Sequence, residues 1–426
     1  MLKTLNHNFF FIKIPSFLVI LLPITLVTGP FLSDLSISIV SIFFIILSFK
    51  KDLSKYYNSF FFKLFIVFYI LINISSVLGV NPYLSLKNSL FYFRHGLFAL
   101  YFWYLLDNVN FLKKYLFYTF VVTFSFLVID GFTQYFFGSN FFGWPIAGSG
   151  RISSFFGDEL ILGSYLSRLF PIIFCLLIML HKSDLSSKSL IYIFFLFLAT
   201  DVLIFLSGER VAFFLMNLST IYIILLVKKF KYFRILTYLL AIASIILITV
   251  INPTAKIRIF DQTLTQMGVQ SDKSKIFKQF KFIDPFLFSL PHEVLFSTGL
   301  NVFKNNKIFG VGPKNFRTEC KNPKNYIMSY SCDTHPHNTY IQLLAETGIF
   351  AFTIIFSLFL WLMIETLKII INYLKKKKNI SDEIICLYSC FLMSLWPIIP
   401  SGSFFHNWMC IVYFFPIGFF LHLKNK

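Results

Sequence analysis

Apolar runs of about 17–25 residues recur along almost the whole chain, and each is long enough for a helix to cross a bilayer. A run of that length with few charges is typical of a transmembrane helix. We therefore predict an all-α polytopic membrane protein with about twelve transmembrane helices. The predicted spans are 15–30, 35–49, 60–80, 91–106, 115–137, 159–180, 189–206, 211–227, 235–251, 339–363, 384–400 and 408–423.

The composition agrees with a membrane protein, since 57% of the residues are hydrophobic and 13% are charged. A soluble domain has about 25% charged residues. The formal charge of +19 does not indicate nucleic-acid binding, because basic residues also mark the cytoplasmic loops of membrane proteins.

The basic residues are distributed unevenly between the two sides of the membrane. The segments after the second, fourth, sixth, eighth and tenth predicted spans lie on one side, and with both termini they hold 21 of the 38 Lys and Arg residues. This asymmetry predicts that both termini are cytoplasmic, and we expect the first apolar run to be a helix rather than a cleaved signal peptide.

One outer segment, 252–338, is much longer than the others and contains 12 Lys and Arg against 6 Asp and Glu residues. A loop of this length without its own structure would be unusual, so we expect helices in it, including an amphipathic one near 292–307. The chain then divides into nine helices over 1–251, the large outer loop, and three helices over 339–426. All belong to a single membrane domain.

Two of the six cysteines, Cys320 and Cys332, lie in this outer loop, whereas the other four lie in predicted spans. The bacterial periplasm is oxidising, so a disulfide between the two loop cysteines is expected there. The alternative is that both are free thiols.

The stretch "THPHNTYIQLLAE" places hydrogen-bonding groups at the mouth of an apolar run. Asn338, Gln342 and Glu346 recur at four-residue intervals and would form one helical stripe. His335 and His337 flank a proline at the expected helix N-terminus, which favours an anion. Two histidines without further well-spaced ligands are a weak zinc signal, so no metal is expected. An imidazole in a water-accessible cavity is better suited to act as a general base.

Basic residues in the outer segments are the second notable feature, because they run against the topology rule. Arginine holds a diphosphate well through bidentate, charge-assisted hydrogen bonds. Each one alone can also be an ordinary interfacial residue, and Glu209 is a candidate partner for its neighbour in "LSGERVAF". The candidate phosphate-binding residues are Arg94, Arg151, Arg210, Lys314 and Arg317.

These stretches resemble those of a known family. "HPHNTYIQLLAETGIF" resembles the signature of the O-antigen ligase family and of the related O-antigen polymerases. "IFGVGPKNFR", "LSGERVAF" and "GRISSFFGDELILGSYL" resemble further segments shared by those proteins. The resemblance implies a multi-span glycosyltransferase of the GT-C type in the inner membrane of a Gram-negative bacterium, with a periplasmic active site. It further implies a glycan donor linked to undecaprenyl diphosphate, lipid A–core as the acceptor, a surrounding of membrane lipids, and no cofactor.

By the same resemblance His337 is the catalytic histidine, Arg210 is the arginine of the span junction, and Arg151 and Arg317 lie in shared outer segments. Many relatives place an arginine at the head of the loop helix, where this chain has His292. Either His292 or Arg258 replaces that arginine, or neither does.

We therefore expect an inverting, metal-independent transfer in which His337 is the general base and the arginines hold the diphosphate. His335, Asn338, Gln342, Glu346 and His292 are expected to support the site. Glu346 is an alternative base. A polymerase that extends a second lipid-linked glycan is the alternative function, and transfer to a protein acceptor is a further one. A transporter with a proton relay at Asp130 and Asp201 is the alternative of a different class.

Overall fold

The structure is a computed structural model, and it describes residues 9–148, 150–180, 185–252, 256–266, 288–377 and 380–425. Fourteen helices of eight or more residues form the described part. They are α1 Ile14–Thr25, α2 Pro30–Ser48, α3 Phe60–Leu78, α4 Pro82–Ser89, α5 Phe93–Asn108, α6 Leu112–Phe137, α7 Leu162–Leu180, α8 Ser187–Leu206, α9 Arg210–Leu226, α10 Lys231–Ile251, α11 Leu290–Asn305, α12 Thr339–Leu374, α13 Asp382–Leu395 and α14 Asn407–Lys424.

Shorter helical turns connect these helices. They are Ser54–Tyr57, Leu90–Tyr92, Ser154–Phe156, Gln262–Gln266 and Phe316–Glu319, with π-helical turns at Phe9–Lys13 and Ile257–Asp261. Strand pairing within the described residues is limited to two isolated antiparallel bridges, Ser139 with Pro145 and Ala147 with Arg151. The expected all-α class is thus confirmed for the part of the chain that the structure describes.

A long helix lies in each of the twelve predicted spans. Eight of the described helices are long and apolar enough to cross a membrane by length and composition, namely α2, α3, α6, α7, α8, α10, α12 and α14. The other four, α1, α5, α9 and α13, have 12, 16, 17 and 14 residues. A polytopic membrane protein is supported, and the total of twelve crossings stays a prediction.

Local signals account for the helix boundaries. The Ser59 and Ser381 hydroxyls accept from the backbone N–H three residues on and so cap the starts of α3 and α13. Helix α6 ends at Gly138, which has φ +80° and bonds its N–H back to the Gln134 carbonyl. Glycine suits this left-handed position because it has no Cβ. Pro30 opens α2 at a position where its missing N–H costs nothing.

The centre of the bundle is formed by α5 and α7, whose side chains are buried on nearly all faces. A helix that is apolar all round is stable only when other helices surround it. Helix α5 packs against α14, where Phe102 stacks on Phe415 with ring centroids 5.0 Å apart and contacts Phe419 edge-to-face.

The connecting segments 138–161, 207–209, 288–338 and 396–406 gather at one end, which we call the loop end. The amphipathic helix expected near 292–307 is present there as α11. Cys320 and Cys332 are joined in a disulfide with their Cα atoms 5.2 Å apart.

Helix α12 carries the predicted polar stripe up to Glu346 and is interrupted just after it, so the predicted span 339–363 is not one continuous helix. Gly348 has φ +72° and ψ −173°, so the helix breaks there. The loop at Lys307–Gly312 fills the gap, since the N–H groups of Val311 and Gly312 donate to the carbonyls of Ala345 and Glu346 at 3.0 and 2.8 Å. The backbone groups freed by the break are thereby satisfied within the protein.

The two acids of the transporter alternative are both occupied in the structure. Asp130 accepts from the Phe141 N–H at 2.8 Å and from the Ser154 hydroxyl at 2.6 Å. Asp201 forms a bidentate ion pair with Arg234, at 2.6 and 3.0 Å. Their contacts account for both residues as structural, and no observation on the described residues favours a proton relay.

Candidate functional site

The histidine segment, residues 333–337, is held against the turn 396–406. His335 Nε2 lies 3.1 Å from the Ser401 carbonyl oxygen, and the Ser401 N–H donates to the His337 carbonyl at 2.8 Å. His337 has φ +54°, a left-handed conformation that is uncommon for a residue with a side chain. These two contacts with Ser401 fix the backbone of the histidine segment against the turn.

The N-terminus of α12 is capped, which corrects the expectation that it offers free N–H groups to an anion. The Asn338 Oδ1 accepts from the N–H groups of Tyr340 and Ile341 at 3.0 and 3.1 Å. Its Nδ2 donates to the carbonyls of Pro397 and Ile399 at 2.8 and 3.1 Å. Asn338 therefore starts the helix and ties it to the neighbouring turn.

Asp333 lies beside His337 and was not recognised from the sequence. The His337 Nε2 is 3.0 Å from the Asp333 Oδ2, and the two side chains are 31% and 46% exposed. Burial raises the pKa of Asp333, but hydrogen bonds from the Thr334 N–H and from His337 outweigh it and lower the pKa overall. An ionised Asp333 holds the proton of His337 on Nε2. The His337 Nδ1 has no hydrogen-bond partner among the described residues and is available as a base.

Two further histidines flank His337. Ring centroids lie 4.2 Å apart for His335 and His337, and 5.8 Å apart for His292 and His337. Burial, reinforced by the charge of His337, lowers the pKa of His292 and of His335 to about 4. Both are therefore neutral near pH 7 and leave His337 as the ring exposed to water. Within the described ranges no group of three His, Cys, Asp or Glu side chains is placed to hold a metal ion.

Three arginines, Arg151, Arg210 and Arg258, converge on the turn 207–209. The Arg151 Nε donates to the Ser207 carbonyl at 3.3 Å, and the Arg258 Nε donates to the Gly208 carbonyl at 3.2 Å. A Cβ at Gly208 would lie 2.9 Å from the Arg258 side chain and 3.2 Å from that of Arg151. Gly208 is thus required both by its φ of +66° and by the space the two arginines occupy.

The arginine group is coupled to the histidines. The Arg210 Nε donates to the Arg258 carbonyl at 3.2 Å, and its Nη1 donates to the Gln266 Oε1 at 2.6 Å. Both Arg210 and His337 lie close enough to His292 to lower its pKa. Burial lowers the pKa values of Arg151 and Arg258, and Arg258 further lowers that of Arg151. Of these three like charges, that of Arg210 lies close to His292, which itself contacts His337.

Glu209 does not neutralise Arg210. Its carboxylate accepts from the N–H of Gly163 at 2.6 Å, and from the N–H and hydroxyl of Ser164 at 3.1 and 2.7 Å. These bonds cap the N-terminus of α7. The Glu209 charge acts on Arg151 instead, where it opposes the lowering of the pKa by burial. Neither Arg151 nor Arg210 forms an ion pair with any residue that the structure describes.

Lys314 and Arg317 form a second basic group, on the loop segment that follows α11. Lys314 is half-buried with φ +64°, and burial, together with the charge of Arg317, lowers its pKa. Burial, together with the Lys314 charge, lowers the pKa of His406, and the His406 charge makes a small contribution to the low pKa of His335. Arg317 is exposed on the short helix Phe316–Glu319. The site is therefore flanked by basic residues from two different segments.

Gln342 and Glu346 are buried anchors. The Gln342 Oε1 accepts from the Phe404 N–H at 2.8 Å, and its Nε2 donates to the Ser403 hydroxyl and to Glu346 at 3.0 and 2.9 Å. The Glu346 carboxylate also accepts from the Phe316 N–H at 3.3 Å, and its side chain is 0% exposed. A carboxylate closed off in this way holds two loops together and does not suit the alternative in which Glu346 is the base.

Arg94 is engaged elsewhere. Its Nη2 forms an ion pair with the Asp34 Oδ1 at 2.7 Å, and its Nη1 donates to the Phe91 carbonyl at 2.8 Å. These bonds link α5 to α2, and none of them involves the histidines or the three arginines. The prediction that Arg94 binds phosphate gains no support from this arrangement.

A family model described as "O-Antigen ligase" (Wzy_C) matches residues 192–356 of the chain. This part of the chain is similar to the O-antigen ligase family. The matched residues include Arg210, the loop helix α11, Lys314 and the whole histidine segment, whereas Arg151 lies before them. No curated protein gives a significant match. The family implies a membrane enzyme of glycosyltransferase type that uses lipid-linked glycans.

Sequence reasoning missed Asp333, and it named Arg258 only as a possible replacement for the family arginine near His292. Asp333 stands four residues before His337 in "CDTHPH", and its acidic side chain next to a candidate base was the available signal. The closeness of Arg258 to Arg210 carries no local signal, because 48 residues separate them in the chain.

Proposed function

We propose that the chain transfers a glycan from undecaprenyl diphosphate to an acceptor hydroxyl, with inversion at the anomeric carbon. The observation that carries this proposal is the arrangement around His337. Asp333 holds one of its ring nitrogens, and the other is open. Neither Arg151 nor Arg210 forms an ion pair with a described residue, and Arg210 lies close to His292. A general base next to an anion site is what transfer from a diphosphate leaving group requires.

In the proposed reaction His337 Nδ1 takes the proton of the acceptor hydroxyl as its oxygen attacks the anomeric carbon. The bond between that carbon and the diphosphate oxygen breaks, and its electron pair stays on the diphosphate. Arg151 and Arg210 stabilise the growing negative charge. Asp333 orients the imidazole and stabilises the imidazolium that forms.

Arg258 takes the place that the resemblance gives to an arginine at the head of the loop helix. It shares the turn at Gly208 with Arg151, and its carbonyl accepts from Arg210. His292 occupies the equivalent helix position but is uncharged near pH 7, so it cannot replace a guanidinium. Lys314 and Arg317 are proposed to bind anionic groups on the opposite side of His337.

The remaining features of the proposal follow the resemblance and the charge pattern. The chain would be a GT-C enzyme of the inner membrane with twelve crossings and cytoplasmic termini. The loop end would face the periplasm and 252–338 would form its large outer loop. Lipid A–core is the proposed acceptor, because the other outer segments, 138–161 among them, are short. A polymerase is expected to need a second large loop.

The test is transfer in liposomes. Purified protein receives undecaprenyl-diphosphate glycan together with either lipid A–core or a second lipid-linked glycan, and gel mobility shows which acceptor is extended. Extension of lipid A–core supports the ligase, and extension of the lipid-linked glycan alone would assign the polymerase. Protein that binds the donor but extends neither acceptor would overturn the proposed activity.

A further inference from the structure

Arg168 is a buried cation without an evident partner. It lies within α7, its side chain is 6% exposed, and neither its Nε nor its Nη1 has a hydrogen-bond partner. No hydrogen bond or ion pair joins its side chain to any residue that the structure describes. Burying an unpaired charge is costly, and an unsatisfied buried group calls for an explanation. The explanation is either an internal structural role or an external anion.

The surroundings of Arg168 connect it to both halves of the site. Its charge interacts with Glu209, the residue between Gly208 and Arg210 of the arginine turn. It also interacts with Tyr413 on α14, whose hydroxyl lies beside the Thr339 side chain at the start of α12. Arg168 therefore lies between the arginine turn and the helix that carries the histidine segment.

Neither neighbour supplies the missing partner. The Glu209 carboxylate already accepts three hydrogen bonds from Gly163 and Ser164. Tyr413 carries a neutral hydroxyl near pH 7. Like Arg151 and Arg210, Arg168 thus forms no ion pair with a carboxylate that the structure describes, and unlike them it is almost fully buried.

Helix geometry gives the direction of the side chain. Arg168 lies six residues after the start of α7, about 9 Å along the axis at 1.5 Å per residue. Side chains in a helix lean toward its N-terminus, and α7 begins at the loop end. A long arginine side chain can cover most of this distance. Its head therefore points toward the floor of the site rather than away from it.

We propose that Arg168 is a further phosphate-binding residue, which contacts the diphosphate of the lipid-linked donor from beneath. This inference rests on the proposed function. A diphosphate has several acceptor oxygens and can contact Arg151 and Arg210 on one side and Arg168 on the other. Because the Arg168 side chain is bonded to no residue that the structure describes, the donor would supply a strong partner for it. The same chemistry is present in inorganic diphosphate, so the lipid and the free anion must be tested separately.

The experiment measures lipid binding to purified full-length protein in nanodiscs. The probes are undecaprenyl diphosphate, undecaprenol and inorganic diphosphate, and the variants are Arg168→Gln, Arg168→Lys and Arg210→Gln. Arg234→Gln is the matched control, because it removes a buried arginine that the protein itself neutralises. The thermal unfolding midpoint of each variant is measured without lipid.

We expect Arg168→Gln to weaken binding of undecaprenyl diphosphate by about 10- to 100-fold, the range for loss of one charge-assisted hydrogen-bonding group. Undecaprenol binding should not change, Arg168→Lys should recover part of the loss, and the unfolding midpoint should equal or exceed that of the wild type. A matching loss for inorganic diphosphate assigns the contact to the anion alone. A loss for the lipid only assigns it to the anchored diphosphate.

Wild-type affinity in Arg168→Gln would overturn the inference while leaving the proposed function intact. A lower unfolding midpoint with unchanged relative affinity would give Arg168 an internal structural role, and would overturn it as well. If the wild type binds none of the probes, or if Arg210→Gln also binds normally, the proposed function itself fails and the inference with it.

Discussion

Two buried arginines, Arg168 and Arg234, show how differently this bundle treats the same side chain. Arg234 is 0% exposed and forms a bidentate ion pair with Asp201, with a further hydrogen bond to Thr220. Its guanidinium also lies over the Phe170 ring, 4.4 Å from the centroid. Arg168, in the same kind of apolar surroundings, has none of these contacts. One charge is neutralised by the fold, and the other is left for a ligand.

The same contrast holds between whole regions. The ion pair of Arg234 joins helices α8 and α10, and at the loop end Arg151 and Arg210 lie close to Arg258 without forming an ion pair with a described residue. Grouped like charges destabilise a fold and persist where they serve a function. The interior should therefore respond to substitution through stability, and the loop end through activity.

The largest expected effect is on activity. Replacement of His337 by alanine should lower the transfer rate by about 10²–10⁴-fold, because the general base is lost. The unfolding midpoint should hardly change, since the side chain is partly exposed and forms one hydrogen bond, to Asp333. Glycan transfer in liposomes and thermal unfolding of the same preparation measure the two quantities.

Asp333→Asn is the matched variant for that prediction, because it keeps the size of the side chain and removes its charge. We expect a smaller loss of rate than for His337→Ala, because the imidazole is kept and only the carboxylate that orients it is lost. Near-full activity of His337→Ala would remove the base role. The loop end would then not differ from the interior by responding to substitution through activity.

The largest effect on stability is expected in the interior. Arg234→Met leaves the Asp201 carboxylate buried without its partner, and breaking a buried pair in this way costs about 3–5 kcal/mol of the free energy of unfolding. The double variant Asp201→Leu with Arg234→Met should regain much of this loss, because both charges are then absent. Denaturant titration measures the free energies. If the single and double variants were equally unstable, packing rather than charge would explain the loss.

A smaller effect is expected at the break in α12. Gly348→Ala should lower the free energy of unfolding by about 1–3 kcal/mol, because a left-handed residue gains a Cβ. That Cβ would also overlap the Ile308 carbonyl. Gly402→Ala is the control, since a Cβ there meets only the Met409 side chain, at 3.6 Å. Equal stability of both variants would mean that the loop can move away without loss.

These regions also differ in how far the sequence could predict them. Hydropathy locates the long helices, because a helix that crosses a membrane needs an apolar run of about 20 residues. It cannot reveal the break at Gly348, since a glycine inside an apolar run is also compatible with a continuous helix. The charge pattern gives no sign of the pair between Arg234 and Asp201, because Arg234 follows several lysines at the start of α10 and yet its side chain reaches inward. Such pairings depend on the packing of helices distant in sequence.

Within the site the predictable part is the segment whose residues are neighbours in the chain. The spacing of His335, His337, Asn338 and Gln342 places them near one helix start, and the structure has them there. The assembly of the three arginines depends on the packing of residues 256–266 against the turn 207–209 and has no local signal. Which cations stay without a carboxylate partner is likewise visible only once the fold is known.

The smallest expected effect is the response of stability to mild acid. His292 and His335 have pKa values of about 4 in the folded protein, and an unfolded histidine has a pKa near 6.5. Between these values the unfolded state binds more protons, so stability falls as the pH falls from about 6.5 to about 4. Above that window both states are neutral and the two histidines contribute no pH dependence. His335→Gln should flatten the slope of the unfolding midpoint against pH. An unchanged slope would show that the folded protein does not keep His335 neutral in this range.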